Sequence, residues 1–188
     1  WRFPKETIAC ILEDCDAKIV FTDAVRRDAV PDGLPIVQFD NDFQDFLDPG
    51  EFEIVTCGQD KVAMFLYTSG STGKPKGVPL THYGHLWVIE MRSKGGGIEA
   101  HRLLVAAPLY HMNALAIAKA ALLGHATIVL LPQFTTESYV KAIEKFRCTW
   151  LTSVPTMMAL VTKETALVEA TDLSSVKIVR MGSAPATQ

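Results

Sequence analysis

The sequence lacks the patterns typical of metal-binding, disulfide-stabilised and membrane-spanning chains. Its four cysteines form no C-x-x-C pair and no compact Cys/His cluster, so we interpret them as reduced thiols in a cytoplasmic protein. No apolar run approaches the roughly 20 residues that cross a bilayer, and no secretory signal is visible. A net charge of -3 over 188 residues argues against nucleic acid or an anionic membrane surface as the main partner.

Internal repeats and low-complexity tracts are also lacking, and what remains is a 48% hydrophobic chain that can bury a core. From Leu103 onward, strand-like and helix-like patterns alternate. The strand-like runs are 103–107, 126–131, 149–154 and 176–181. The helical runs are 112–123, ended by Gly124, a second one capped by Thr135 or Thr136, and a third opened by Pro155. Such alternation predicts an α/β fold with a largely parallel sheet flanked by helices.

The first hundred residues are less regular. A helix that starts at Pro4 is followed by strand-like runs at 18–21 and 35–39, and residues 40–48 are acidic and suit a short helix or a loop. Residues 50–61 are rich in turn formers and are the candidate internal seam. Beyond them, 62–67 is a short apolar run typical of a buried strand, 78–80 is a second strand, and Thr81 can cap a helix that reaches Met91.

Polar segments follow several of these strands. In parallel sheets, ligands bind outside the carboxyl ends of the strands. We therefore expect the chemistry in three loops, at 68–77, 108–113 and 182–185. Two histidines, His82 and His85, could mimic a metal pair on the helix after Thr81. Two ligands without a third are weak evidence, so we interpret them as a solvated helix end and predict no protein metal ligand.

The segment from Tyr67 to Gly77 has the composition of a phosphate-binding loop. Glycines allow close backbone approach, hydroxyls donate hydrogen bonds and lysines add positive charge, with no carboxylate to oppose them. The hydroxyls belong to Thr68, Ser69, Ser71 and Thr72, the charges to Lys74 and Lys76. A Walker-type loop is excluded, because Gly70 and Gly73 have the wrong spacing and Pro75 occupies the Ser/Thr position. The sequence instead predicts a phosphate loop between two strands.

This segment resembles the signature of the adenylate-forming superfamily, which includes acyl-CoA synthetases, amino-acid adenylation domains and firefly-type luciferases. Further segments are similar to family motifs in the same order. Pro108 to His111 resembles P-L-[FY]-H of acyl- and aryl-CoA synthetases, Val154-Pro155 a V-P pair, and Gly182 to Pro185 the segment G-[GSA]-A-P. The region from Ile11 to Asp23 is similar to the family as well. The resemblance covers nearly the whole chain and is weakest from 25 to 60.

The resemblance implies that residues 1–188 are part of the large N-terminal AMP-binding domain of an ATP-dependent ligase. Such an enzyme uses ATP, Mg2+ and coenzyme A, and converts a carboxylic acid to an acyl-adenylate and then to a thioester. The implied nucleotide-binding residues are Thr68, Ser69, Gly70, Ser71, Thr72, Gly73, Lys74, Lys76, Gly182, Ser183, Ala184 and Pro185. His111 is the implied catalytic residue, close to the carboxylate, and Tyr110, Met112 and Asn113 begin the acyl pocket.

The apolar stretch 114–121 beside that pocket predicts a hydrophobic acid, fatty or aryl, as substrate, and the resemblance implies a role in fatty acid metabolism. Two alternatives stay open: an amino-acid adenylation domain, and a non-catalytic nucleotide-binding module. Family elements such as the magnesium-associated Glu, the ribose-binding Asp and the lysine of the C-terminal lid domain have no counterpart up to Gln188. We therefore expect the isolated chain to be inactive. The oligomeric state is not predicted by any of these patterns.

Overall fold

The computed structural model describes residues 3–68, 75–94 and 97–183. Two units divide the chain, Trp1–His82 and Tyr83–Gln188, and each is described by itself below. Residues 51–58, inside the first unit, are exposed and form neither helix nor strand, and the seam at 50–61 stays a prediction. Within the described ranges, no helix combines the length and the apolar character needed to cross a membrane.

A four-stranded parallel sheet organises the second unit. Its strands are β5 (Arg102–Val105), β6 (Thr127–Leu130), β7 (Trp150–Ser153) and β8 (Ile178–Met181), in the order β6-β5-β7-β8. The helices are α3 (His82–Ser93, beginning at the boundary), α4 (Met112–Leu123), α5 (Thr136–Phe146), α6 (Pro155–Val161) and α7 (Thr165–Glu169). The predicted α/β alternation is confirmed. The short helix α7 was not predicted.

Both faces of this sheet are covered by helices. Leu103 and Val105 pack with Ile89 of α3 and with the alanines of α4, whereas Leu104 packs with Tyr139 and Ile143 of α5. Successive side chains of a strand point to opposite faces, so these two clusters lie on opposite sides of β5. The three β5 side chains are completely buried, as expected for the central region of a parallel sheet.

Local signals in the sequence place the helix ends. The side chain of Thr135 accepts a hydrogen bond from the Ser138 amide and forms a capping box at the start of α5. Pro155 opens α6, as predicted. Gly124 does end α4, but its φ of -87° is not left-handed. A Cβ there would lie 2.2 Å from Cγ2 of Ile98, so close packing, rather than backbone conformation, requires the glycine.

The first unit contains α1 (Lys5–Asp14), β1 (Val20–Thr22), β2 (Ile36–Gln38), α2 (Phe43–Phe46), β3 (Val62–Thr68) and β4 (Lys76–Thr81). Strands β1 and β2 pair in parallel, and β3 and β4 pair antiparallel as a separate two-stranded sheet. The second strand of the hairpin thus begins at Lys76, two residues earlier than the predicted 78–80. The polar segment 68–77 joins two antiparallel strands and is not a strand-end loop of the four-stranded sheet.

Candidate active site

The ends of the hairpin β3–β4 carry two of the predicted phosphate-binding residues. Thr68, the last residue of β3, lies directly opposite Lys76, the first residue of β4. Residues directly opposite each other in an antiparallel pair project to the same face, so one hydroxyl and one ammonium group share that face. Between these two strands, the predicted ligands Ser69, Gly70, Ser71, Thr72, Gly73 and Lys74 lie outside the described residues.

The next pair along the ladder is Tyr67 opposite Gly77. A Cβ atom on Gly77 would lie 2.9 Å from Cζ of Tyr67 and 3.1 Å from Oδ2 of Asp14. These distances are far below ordinary contact, so the aromatic ring occupies the space that a side chain on Gly77 would need. The glycine that ends the signature is therefore required by a close approach within the hairpin.

The Tyr67 hydroxyl links the hairpin to the end of α1. It donates a hydrogen bond to Oδ2 of Asp14 at 2.6 Å and lies 3.4 Å from the carbonyl oxygen of Ile11. Burial raises the pKa of Tyr67, and the hydrogen bond and charge of Asp14 raise this pKa further, so the hydroxyl stays a donor. Tyr67 and Asp14 both lie in segments that resemble the family, but the sequence predicts no role for either residue.

In the second unit, the segment after β5 presents aromatic and imidazole groups to solvent. The rings of Tyr110 and His111 pack together with centroids 4.5 Å apart, and Tyr110 is 53% exposed. His111 is the residue before α4, but its side chain makes no capping hydrogen bond. The imidazole packs against the Tyr110 ring but does not cap the helix, and it is exposed and accessible to a ligand.

The segment after β8 approaches the first turn of α4. The amide of Gly182 donates to the carbonyl oxygen of Ser153 at 3.2 Å, and a Cβ on Gly182 would lie 3.9 Å from Nδ2 of Asn113. Two of the predicted segments therefore meet at one end of the sheet. Ser183 has a φ of 70°, a left-handed conformation uncommon for a residue other than glycine. Ala184 and Pro185 lie outside the described residues.

His85 differs from the solvated helix end that we expected. It is buried on α3, and its Nε2 atom lies 2.7 Å from Nζ of Lys119 on α4. Burial, followed by the charge of Lys119, lowers the pKa of His85, so a neutral imidazole accepts a hydrogen bond from the ammonium group. Across the described ranges, no three His, Cys, Asp or Glu side chains group in a way that could hold a metal ion.

Helices on both faces of a parallel sheet, with polar segments at the strand ends, define an α/β protein of the kind in which ligands bind at that edge. Comparison with known proteins supports a particular class. Residues 1–188 match the family model "AMP-binding enzyme". The chain is 37% identical over 130 residues to a feruloyl-CoA synthase from Amycolatopsis, an alignment that covers 68% of this chain and 26% of that protein. It is also 32% identical over 180 residues to 4-coumarate-CoA ligase 1 from Narcissus pseudonarcissus. That alignment covers 93% of this chain and 31% of that protein.

A solved structure supports the fold assignment. O-succinylbenzoate coenzyme A synthetase from Bacillus subtilis, solved with ATP and magnesium ion, superposes with a TM-score of 0.77 at 27% identity. That match covers 98% of this chain and 38% of the solved chain. The chain therefore belongs to the AMP-binding enzyme family. Its fold is that of the N-terminal domain of adenylate-forming enzymes, as in the N-terminal domain of FACL13 from Mycobacterium tuberculosis, which superposes with a TM-score of 0.87 at 22% identity and covers 100% of this chain and 50% of that one. This chain spans less than two fifths of the feruloyl-CoA synthase, the 4-coumarate-CoA ligase and the O-succinylbenzoate coenzyme A synthetase.

Proposed function

We propose that the protein to which this chain belongs is an AMP-forming acid–thiol ligase. In the first half-reaction, a carboxylate oxygen of the substrate attacks the α-phosphorus of ATP, and pyrophosphate leaves. In the second, the sulfur of coenzyme A, after loss of its proton, attacks the acyl carbon, and AMP leaves with the oxygen that it gained. The match of the whole chain to the AMP-binding family is the observation that carries this proposal.

The geometry of the hairpin fits the first half-reaction. Thr68 and Lys76 bring a hydroxyl donor and a positive charge to the same face, which suits the β- and γ-phosphates that leave as pyrophosphate. Ser69, Gly70, Ser71, Thr72, Gly73 and Lys74 complete this loop in the proposal. Magnesium would travel with the triphosphate and share its charge. The described residues offer no group of carboxylates for it, so no residue of this chain is assigned to the metal.

The second unit fits the binding of an organic acid. His111 and Tyr110 are accessible, and Asn113 lies beside Gly182 at the edge of the sheet. In the proposal His111 contacts the carboxylate or the mixed anhydride, while Tyr110, Met112 and Asn113 line the start of the acyl pocket. Gly182, Ser183, Ala184 and Pro185 run along the adenine and the acyl group. The buried alanines and Ile117 of α4 pack against β5, so the proposal of a hydrophobic acid rests on the similarity to the relatives rather than on this helix.

Within the hydrophobic acids, we propose aryl acids of the hydroxycinnamate type as the first candidates. Two of the similar proteins are named feruloyl-CoA synthase and 4-coumarate-CoA ligase 1. Fatty acids are the second candidates, with a role in fatty acid metabolism. A cytoplasmic location completes the proposal, supported by the four free thiols at Cys10, Cys15, Cys57 and Cys148.

A panel of acids tests the proposal. The complete protein is incubated with ATP, magnesium and one acid at a time, with and without coenzyme A, and AMP and pyrophosphate are measured. We expect AMP release that depends on both coenzyme A and ferulate, 4-coumarate or a fatty acid. Preference for acetate would contradict the proposal of a hydrophobic acid. Preference for free amino acids without any need for coenzyme A would instead identify an amino-acid adenylation enzyme.

A further inference from the structure

Tyr67, Gly77 and Asp14 meet where the strands of the hairpin enter the phosphate loop, and none of them has a role in the proposed reaction. The Tyr67 ring lies across Gly77 of the opposite strand, and its hydroxyl passes beyond that strand to Asp14 at the end of α1. Pro75, which precedes Lys76, lines a cavity of about 310 Å³ together with Tyr67 and Asp14. The contact therefore involves the residue after Lys76 and the residue before Thr68.

The hydrogen bond between the Tyr67 hydroxyl and the Asp14 carboxylate restrains β3 relative to α1. A phenol that donates to a carboxylate at 2.6 Å is a charge-assisted bond, which is stronger than a bond between neutral groups. It joins residues 53 positions apart in the sequence, so it ties the hairpin to an element outside the local chain. A shift of β3 relative to α1 would break this bond, and a shift of β4 relative to β3 would disturb the contact between the ring and Gly77.

Asp14 stands where an isolated helix would favour a different residue. The last turn of α1 contains acidic but no basic side chains, although the helix dipole favours cations at this end. The carboxylate therefore works against the stability of its own helix. Its hydrogen bond to Tyr67 is the compensating contact, and it acts on the hairpin rather than on α1.

We propose that Asp14 and Tyr67 are positioning residues that hold Thr68 and Lys76 at the spacing that the triphosphate requires. This inference rests on the proposed ligase function, because it assigns the hairpin to the phosphates of ATP. Gly77 is part of the same arrangement, since any side chain there would displace the Tyr67 ring. A small misplacement of groups that bind a leaving pyrophosphate costs a large share of the rate.

The test measures acid-dependent pyrophosphate–ATP exchange in the complete protein with Tyr67→Phe and Asp14→Ala. We expect the KM for ATP to rise about tenfold in each variant, with the KM for the acid unchanged. The double variant is expected to be no worse than either single variant, because both remove the same bond. Asp14→Asn keeps an acceptor oxygen for the Tyr67 hydroxyl and should restore most of the affinity.

The Tm of each variant distinguishes a positioning role from a merely structural one. Asp14→Ala relieves the unfavourable charge at the end of α1 and loses the hydrogen bond to Tyr67, and these effects have opposite signs. We therefore expect a small change in Tm, and a tenfold weaker affinity for ATP well below the Tm would not arise from unfolding. The matched controls are Asp16→Asn, whose charge is exposed and pairs only with Lys18 among its described contacts, and Tyr83→Phe on the exposed face of α3. Both controls should keep the wild-type KM for ATP.

The outcomes distinguish this inference from the function on which it rests. Wild-type exchange with an unchanged KM for ATP in Tyr67→Phe and Asp14→Ala overturns the inference and leaves the ligase proposal standing. A wild-type protein that neither exchanges with any acid nor binds ATP in a calorimeter overturns the proposed function and the inference with it. Equal losses in the affinities for ATP and for the acid would also overturn the inference, since they would indicate general damage.

Discussion

Replacing Gly124 by alanine tests how α4, which carries His111 and Asn113 at its start, is held at its other end. General rules predict a gain, because Ala at a position without positive φ stabilises by about 0.4–1 kcal/mol. Here the new Cβ would lie 2.2 Å from Cγ2 of Ile98 and 3.2 Å from the carbonyl oxygen of Ala120. Ile98 is 3% exposed and has little freedom to move. Overpacking of this kind costs about 1–3 kcal/mol, so we expect a net loss of about 1–2 kcal/mol.

Amide hydrogen exchange of the complete protein gives the readout. A loss of that size should speed the exchange of α4 amides that open with the whole unit by about 5- to 30-fold. Gly58→Ala is the matched control, because its Cβ would meet only Cγ of Lys61, at an ordinary 3.8 Å. Ile98→Leu removes the Cγ2 atom at nearly constant volume, so adding it to Gly124→Ala should restore protection. Greater protection in Gly124→Ala than in the wild type would refute the steric argument.

Two further predictions concern charge. Lys76→Ala and Thr72→Ala should each lower pyrophosphate–ATP exchange at saturating acid about 10²-fold, a loss typical of one donor at a developing charge. The control Lys94→Ala, which removes the exposed ion pair with Glu90, should leave exchange unchanged. Normal exchange in both loop variants would remove the loop from the mechanism. The folded state also holds His85 with a lowered pKa, so unfolded His85 binds a proton that the folded protein rejects, and stability should fall as the pH drops below about 6.5. Urea midpoints between pH 5 and 8 should show this loss in the wild type and a smaller one in His85→Gln, and identical pH profiles would contradict it.

The parallel sheet could be predicted because its strands satisfy a local rule. Leu103, Leu104 and Val105 are consecutive and all buried, and a run that is apolar on both faces requires helices on both sides of the sheet. The strand order β6-β5-β7-β8 was not predictable in the same way, since neighbouring strands are chosen by contacts far apart in the sequence. The burial of His85 against Lys119 was missed for the same reason: the partner lies 34 residues away, on another helix.

The candidate site shows what a motif reveals and what it conceals. Residue types in the hairpin predict a phosphate loop, and its glycines are expected to allow close approach of the backbone to the phosphates. Gly77 instead leaves room for the Tyr67 ring, a relation that becomes visible only when the register places Tyr67 opposite Gly77.

One local signal could have led to this contact before the structure was known. A carboxylate in the last turn of a helix that has no basic residue there opposes the helix dipole. Such a residue therefore suggests a partner elsewhere in the chain. In this protein the partner of Asp14 is the Tyr67 hydroxyl, at the loop end of the hairpin that is proposed to bind the phosphates in the first half-reaction.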